Sequence, residues 1–243
     1  MKCKQPEKEV SIILPAYNEE LQIEKCLLEV ETAIISLTKS YEIIVSEDGS
    51  RDGPELVVSK IANNNPNLFL LHSTKRLGKG KAIRNALNFS NGKIIVFMDV
   101  DLATSLECLS RLLVTVKETC GVAIGSRHVK GSCVDRRLTR TLFSLVYNLL
   151  VRSFFLEGIH DHQCGFKAMS REIAEVVLSF SKSDGFFFDT EMILCCKKLG
   201  FSVVEIPVKW SEKRKKGNSK VNLFQDAKRI GLDMLTFWLN SNK

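Results

Sequence analysis

The chain has 243 residues, 44% hydrophobic and 26% charged, with a formal net charge of +7. That size fits one large globular domain, residues 1–243, able to bury a full core. The basic excess suits anionic partners, whether nucleic acid, phospholipid surface or phosphorylated ligand, while the eight cysteines form no CxxC pair and no metal-ligand spacing, so free thiols of a reducing compartment are expected.

Residues 1–10 are polar and charged with no apolar run, so no secretory signal is expected. Short β-branched runs then alternate with helical patterns. Residues 10–14 (VSIIL) read as a buried strand, and 20–37 carry helical spacing through Ile23, Leu27, Val30 and Ile34. Strands follow at 41–45, 68–71, 93–98 and 122–125, with helices at 54–62, 81–89 and 106–117. Apolar strands without alternation, spaced by helices, predict an α/β fold whose mostly parallel central sheet is flanked by helices on both faces. Two amphipathic helices are expected later, at 136–156 and in the C-terminal stretch. The longest apolar run, 142–151, is closed off by Arg140 and Arg152. At about 1.5 Å per residue it covers about half of a roughly 30 Å hydrocarbon core, so any membrane is expected to be met from the side.

Ligands of such sheets bind beyond the carboxyl ends of the strands. The polar residues of the first half concentrate there: 15–19 (PAYNE), 47–50 (EDGS), 75–81 and 99–101 (DVD). No GxGxxG follows the first strand, which argues against a dinucleotide. Gly78-Lys79-Gly80-Lys81-Ala82 lacks both the first glycine and the hydroxyl of a P-loop. Asp99 and Asp101, directly after the strand KIIVFM, suit a hard cation such as Mg²⁺ or Mn²⁺ that also takes substrate phosphates, provided the strand breaks into a turn there.

In order, SIILPAYNEE, EIIVSEDGSRDG, RLGKGKAIRNAL, FMDVDLAT, GSRH, DHQCGFKAMSRE, FFFDTEMIL and VVEIPVKW followed by GNSK resemble the family 2 glycosyltransferases of GT-A (Rossmann-like) fold. The resemblance runs over about 10–220 and is strongest to the dolichyl (polyprenyl) phosphate hexosyltransferases. FFFDTE, EIPVKW and GNSK lean toward the glucosyl branch. It implies a nucleotide-sugar donor, with UDP-glucose favoured, and a polyprenyl phosphate acceptor. It further implies a nucleotide-sugar-binding half over about 8–127, an acceptor half over about 128–243, and a peripheral enzyme at the cytoplasmic face of a membrane. By position, Pro15, Tyr17 and Glu19 match the nucleoside cradle and Asp48 the carboxylate that reads the base. Asp99 and Asp101 match the ribose and metal ligands, with Lys79, Lys81, Val100 and Lys220 in the donor set. Asp101, Arg127, Asp189 and Glu191 fall at the reacting end. Mannosyl relatives keep a Gln two residues after the second Asp, where this chain has Ala103.

The expected helix at 136–156 puts Leu138, Leu142, Leu145 and Leu149 on one face, widened by Phe143, Val146, Leu150 and Phe154, and Arg137, Thr141, Ser144, Asn148 and Arg152 on the other. In the C-terminal stretch Leu223, Ala227, Ile230, Met234 and Phe237 form a stripe, with Trp238 near the end. Such helices either lie in a membrane interface or pack on the sheet. Arg127, Arg136, Arg137, Arg140 and Lys220 are candidate phosphate contacts. The run 213–216 reads equally as a solvated loop or as a phosphate or anionic-lipid contact. Asp189 and Glu191 either orient hydroxyls or supply a base, Asp161 is catalytic or structural, and His160 with His162 lacks a third metal ligand nearby. A phosphate monoester, largely dianionic at neutral pH, needs no base.

The alternatives are a GDP-mannose-dependent mannosyl branch, a family 2 transferase acting on a hydroxyl, and a sugar-1-phosphate nucleotidyltransferase. The last would show a glycine-rich basic loop where PAYNEE stands. With no aromatic-interleaved basic stretch, nucleic acid is not an expected partner.

Overall fold

The computed structural model describes residues 7–213 and 223–241. In chain order the elements are β1 (Lys8–Ala16), α1 (Glu20–Ile35), β2 (Tyr41–Asp48), α2 (Pro54–Ala62), β3 (Leu68–Ser73), α3 (Lys79–Phe89) and β4 (Gly92–Met98). A 3-10 turn (Leu106–Cys108) leads into α4 (Leu109–Thr119), then β5 (Val122–Ser126), β6 (Cys133–Asp135), α5 (Leu138–Phe155), β7 (Phe166–Ser170) and α6 (Arg171–Phe180). The chain ends with α7 (Phe188–Lys198), β8 (Val203–Pro207), β9 (Lys209–Ser211) and α8 (Leu223–Ser241).

Seven strands form one sheet in the order β3-β2-β1-β4-β7-β5-β8, and β6 pairs with β9 apart from it. All pairings in the large sheet are parallel except those of β7, which is antiparallel to both β4 and β5. Successive residues of each strand point to opposite faces, so an unalternated run such as VSIIL supplies two cores at once. Ile12, Leu14, Ile43, Val45 and Val96 enter the core roofed by α1, α2 and α4. Ile13, Ile44, Ile95 and Phe97 enter the opposite core, with residues of α3, α6 and α7. The expected mostly parallel sheet, covered on both faces, is what these residues build.

The structure adds to the sequence reading beyond β5. Strands β7 and β8 and helices α6 and α7 were not assigned from the pattern, and β7 supplies the antiparallel strand at the centre. Helix α3 starts two residues early, at Lys79, because Gly78 lies against the Asp184 backbone at φ 101°, a conformation that L side chains rarely adopt.

Helix α5 is inverted relative to an ordinary surface helix. Its buried residues are Ser144, Asn148 and Val151, whereas Leu138, Leu142, Phe143, Leu145, Val146, Leu149, Leu150 and Phe154 are exposed. The polar side is held inward by specific bonds. Ser144 Oγ lies 3.2 Å from His128 Nε2, and Asn148 Oδ1 accepts from the His162 backbone N–H at 3.1 Å and from its Nδ1 at 3.0 Å. Tyr147 Oη lies 2.6 Å from Thr190 Oγ1. Of the two readings open for this helix, packing its apolar face on the sheet is the one the fold rejects.

Helix α8 goes the other way. The later part of the expected stripe faces protein: Ile230, Met234 and Phe237 pack with Val151, Phe187 and Leu194, and Phe237 meets the Phe155 ring edge-on at 5.7 Å; the side chains of Leu223 and Ala227 lie outside the described residues. Leu232, Leu235 and Leu239 then form a second, exposed apolar face. No helix among the described residues is long and apolar enough to cross a membrane.

The inversion of α5 predicts an asymmetry between neighbouring positions. Asn148→Leu strands two buried donors on His162, and urea unfolding should show a loss of about 1–3 kcal/mol. Leu149→Gln, one residue on and facing outward, should stay within about 0.5 kcal/mol of the parent.

Candidate active site

The order of strands reverses at β1, between β2 and β4, and the carboxyl ends of these strands carry the candidate residues. After Met98 the backbone turns: Leu102 N–H donates to Asp99 O at 3.2 Å, and Leu102 takes φ 48°. Val100 and Leu102 enter the core, and Asp99 and Asp101 line one cavity. The turn needed for both carboxylates to share an ion is therefore present. Val100, placed in the donor set from the sequence, contributes backbone only, because its side chain is 3% exposed and belongs to the core.

The cavity is also lined by Thr104, Arg127, Gln163, Gly165 and Trp210. Strand β7 delivers Gly165: its carbonyl accepts the Asp99 N–H at 3.1 Å, and a Cβ there would fall on the Asp99 carboxylate. Strand β9 delivers Trp210, tied to the segment after the carboxylates by Ser105 N–H to Lys209 O and Ser211 N–H to Ala103 O, both 2.8 Å. Gln163 is oriented through Nε2, which donates to Thr190 Oγ1 at 2.8 Å and to the Tyr147 hydroxyl at 3.3 Å.

The loops after β1 and β2 are braced together. Asn18 donates its N–H to Ser50 Oγ at 2.8 Å, and its side-chain oxygen accepts from Arg51 N–H at 2.8 Å. Pro15 is half-buried, Glu19 is buried, and Tyr17 carries the Arg76 guanidinium 4.0 Å above its ring. Asp48 accepts backbone N–H bonds from Leu77 and Gly78, at 2.5 and 3.0 Å to separate oxygens. A carboxylate has about four acceptor positions, so capacity for a base N–H remains. Lys81 stands exposed on α3, outside the cavity lining. Lys220 lies outside the described residues, as do Arg214, Lys215 and Lys216 of the basic run.

Lys79 Nζ bridges two carboxylates, Asp99 at 2.9 Å and Asp189 at 2.7 Å. Asp189 is 2% exposed and also takes the ammonium of Lys167, at 2.6 Å. Burial alone would raise the Asp189 carboxyl, but Lys167 and Lys79 outweigh it and hold it below the usual range. At Asp99 the balance runs the other way. Burial and the neighbouring charges of Asp101 and Asp189 outweigh Lys79 and push its carboxyl up. That end of the site is short of positive charge, and its donors are hard oxygens. Asp99 and Asp101 therefore fit a divalent cation such as Mg²⁺ or Mn²⁺. A separate group, Glu47, Glu55 and His72, brings one ligand atom each to within 4.8 Å. There Glu47 Oε2 and His72 Nδ1 are already bonded to each other at 2.6 Å.

Glu191 is not in the cavity lining. It accepts from Ser181 Oγ at 2.6 Å and from the Lys182 and Ser183 backbone N–H groups at 3.0 and 2.7 Å. That spends the carboxylate on anchoring the segment before α7. Asp161 pairs with Arg127 through two bonds of 2.7 and 2.8 Å and accepts the Arg127 N–H at 2.9 Å. Burial would raise its carboxyl, but the Arg127 charge dominates and holds it far below the usual range. His162 contacts Asn148 and Glu157, and His160 contacts Glu205, so the two histidines brace the loop before β7 by different partners.

Arg136 lies 5.3 Å over the Trp210 ring, and Arg127 lies 5.7 Å from it. Arg136 Nε and Nη1 are buried and have no hydrogen-bond partner among the described residues. Burial and the charges of Arg127 and Arg140 bring its pKa down to about 10. Arg140 is engaged at 3.0 Å by Glu212. The sequence had grouped Arg136, Arg137 and Arg140; Glu212 faces the other two, at 3.7 Å from Arg137 Nε and 3.0 Å from Arg140, and Arg136 is the one whose partnerless donors are buried.

The glycosyl transferase family 2 profile matches residues 11–178. The chain belongs to that family. It is 38% identical over 233 residues to the glycosyltransferase AglD of Haloferax volcanii, an alignment covering 95% of this chain and 37% of that one. It is 31% identical over 245 residues to the dolichyl-phosphate beta-glucosyltransferase of Homo sapiens, covering 95% and 75%. The chain thus spans just over a third of AglD, and 66% of the dolichyl-phosphate beta-glucosyltransferase ALG5A of Trichomonas vaginalis. Two solved structures share the GT-A fold at identities where only the fold is compared. The glucosyl-3-phosphoglycerate synthase of Mycobacterium tuberculosis, solved with Mn²⁺, UDP and glucosyl-3-phosphoglycerate, gives a TM-score of 0.66 at 20% identity and covers 96% of this chain and 79% of that one. A Pyrobaculum calidifontis mannosyltransferase, solved with GDP-Man and Mn²⁺, gives 0.59 at 22%, covering 99% and 65%.

Two tests follow for this family 2 site. Gly165→Ala should displace the Asp99 carboxylate and abolish Mn²⁺ binding while leaving the far-ultraviolet circular dichroism unchanged. Asp161→Asn, which breaks a buried pair, should cost about 3–5 kcal/mol at neutral pH. Because the folded-state pKa of Asp161 is depressed, its contribution is full above the unfolded value of about 3.9 and fades as pH falls toward the folded one. Urea titrations should therefore show the gap between parent and variant closing only below about pH 4.

Proposed function

We propose that this chain transfers a hexose, with glucose from UDP-glucose favoured, from a nucleotide-sugar to the phosphate of a dolichyl or polyprenyl phosphate. It would do so with inversion, as a peripheral enzyme at the cytoplasmic face of a membrane. The observation that carries this reading is the inverted helix α5. Its apolar face is exposed and begins beside Arg136, whose Nε and Nη1 have no hydrogen-bond partner among the described residues and which lies over Trp210, part of the lining of the cavity that holds Asp99 and Asp101. An amphiphile with a prenyl tail and a phosphate head matches both: apolar surface for the tail, guanidinium for the phosphate.

The names of the relatives support the acceptor, since several are dolichyl-phosphate beta-glucosyltransferases. Pro15, Tyr17, Glu19 and Asp48 would hold the nucleoside, and Asp99 and Asp101 the cation, which when bound neutralises charge on the leaving diphosphate. Arg136, with Arg127 behind it, would orient the acceptor phosphate for in-line attack on the anomeric carbon. A dianionic phosphate is already a nucleophile and asks for no proton acceptor. The carboxylates suit that chemistry. Asp189 is clamped by two lysines and Glu191 is spent on three donors, so neither is poised as a base. The hydroxyl-acceptor reading, which needs a base, is disfavoured on this ground.

The test is transfer from radiolabelled UDP- and GDP-sugars to dolichyl phosphate, with Mg²⁺ or Mn²⁺ and an EDTA control. Cation-dependent formation of a lipid-linked glucose from UDP-glucose is expected. A product formed only on a hydroxyl acceptor would overturn the proposal. Arg136→Ala should raise the KM for the lipid phosphate about tenfold or more, since hydrogen bonds to charged groups contribute about 1.5–3 kcal/mol. Leu142→Asp with Leu149→Asp should abolish flotation with vesicles while sparing transfer to a short-chain, water-soluble prenyl phosphate.

A further inference from the structure

Lys167 is fully enclosed, and the transfer chemistry asks for no lysine there. It sits on β7 with its ammonium 6.0 Å from the Phe97 ring, donating to Cys164 O and Asp189 Oδ1 at 2.6 Å each. A buried ammonium is tolerated only when well paired. The pairing continues outward: Asp189 takes Lys79 at 2.7 Å, and Lys79 takes Asp99 at 2.9 Å. The four side chains alternate in sign, and their exposure climbs from 0% at Lys167 through 2% and 16% to 46% at Asp99.

We propose that Lys167 and Asp189 are positioning residues for the cation-binding carboxylate, acting through Lys79. The inference rests on the reading of Asp99 as a metal ligand. Lys79 is shared: its bond to Asp99 fixes that carboxylate at the cavity edge, and its bond to Asp189, itself held by Lys167, fixes Lys79 in turn. Without Lys167, Asp189 draws Lys79 inward as its only counter-ion, and Asp99 loses the contact that sets its orientation. On this account Asp189 is an anchor for a lysine and not a proton acceptor.

A purely structural ion pair would give the same loss of stability on single substitution, so the experiment separates the two. Mn²⁺ binding is measured by electron paramagnetic resonance with saturating UDP, alongside thermal unfolding, for the parent, Lys167→Met, Asp189→Asn and the double variant Lys167→Met, Asp189→Leu. Removing both charges leaves an apolar core and recovers the melting temperature lost by Lys167→Met. Partners behind a metal ligand typically change affinity about 10–100-fold. A loss of that size is expected in both single variants, and it persists in the double variant despite the recovered melting temperature. Asp189→Asn, nearly isosteric, carries the test if the double variant does not fold. Parental Mn²⁺ affinity in the folded double variant, or in Asp189→Asn, would overturn the proposal. A parent protein that takes up no Mn²⁺ with UDP would overturn the metal reading beneath it.

Discussion

Asp99 sits where two parts of the sheet are stitched together. Strand β7 runs antiparallel between β4 and β5, and at its start the Gly165 carbonyl receives the Asp99 N–H while the Asp99 carboxylate occupies the space a side chain would fill. Everything the site does depends on that close approach. It fixes the turn that exposes Asp99 and Asp101. It also brings the loop before β7, with Asp161 and Gln163, against the end of β4. Through Lys167 on the same strand it sets the row of alternating charges that reaches Asp189. A glycine is required there because no other residue leaves the carboxylate its place.

The second constraint is the reversal of α5. A helix that turns serine, asparagine and tyrosine inward needs a polar wall to meet them, and His128, His162 and Thr190 provide it. His162 is positioned by the loop that also carries Asp161, so α5 and the Arg127–Asp161 pair share one support. Among the described residues the apolar face is then uncovered on its outer side, and α8 carries an exposed apolar row of its own, Leu232, Leu235 and Leu239. Helix α7 joins the two regions: its first turn holds Asp189, and its Leu194 packs in one cluster with residues of α5 and α8.

Much of the first half was legible because its signals are local. Strands VSIIL and KIIVFM are unalternated since both faces are buried, and topology alone puts the residues after them at the ligand-binding end of the sheet. The second half resists such reading because its logic is tertiary. FKAMS is a five-residue strand with a lysine as its second residue, and nothing nearby in sequence says that the partner is Asp189, 22 positions on. The lysine in an apolar run was the available signal. Arg136 was named with its neighbours, but Glu212, which occupies Arg140, is 72 positions away and separates them only in space. Glu191 was placed with Asp189 at the reacting end by the family resemblance alone. Its engagement by Ser181, Lys182 and Ser183 is invisible until the chain folds back. The polarity of α5 was plain in the sequence, but its direction was not, because a pattern cannot tell which face meets the protein.

That outward apolar face also governs how the protein behaves in water. Monomeric proteins rarely tolerate a contiguous greasy patch of this kind in water, and two copies can bury theirs against each other. Colloidal state then becomes a property of the solvent as much as of the chain. Sedimentation and scattering should vary with the amphiphile present, and a sample handled without one will report on self-association before it reports on catalysis.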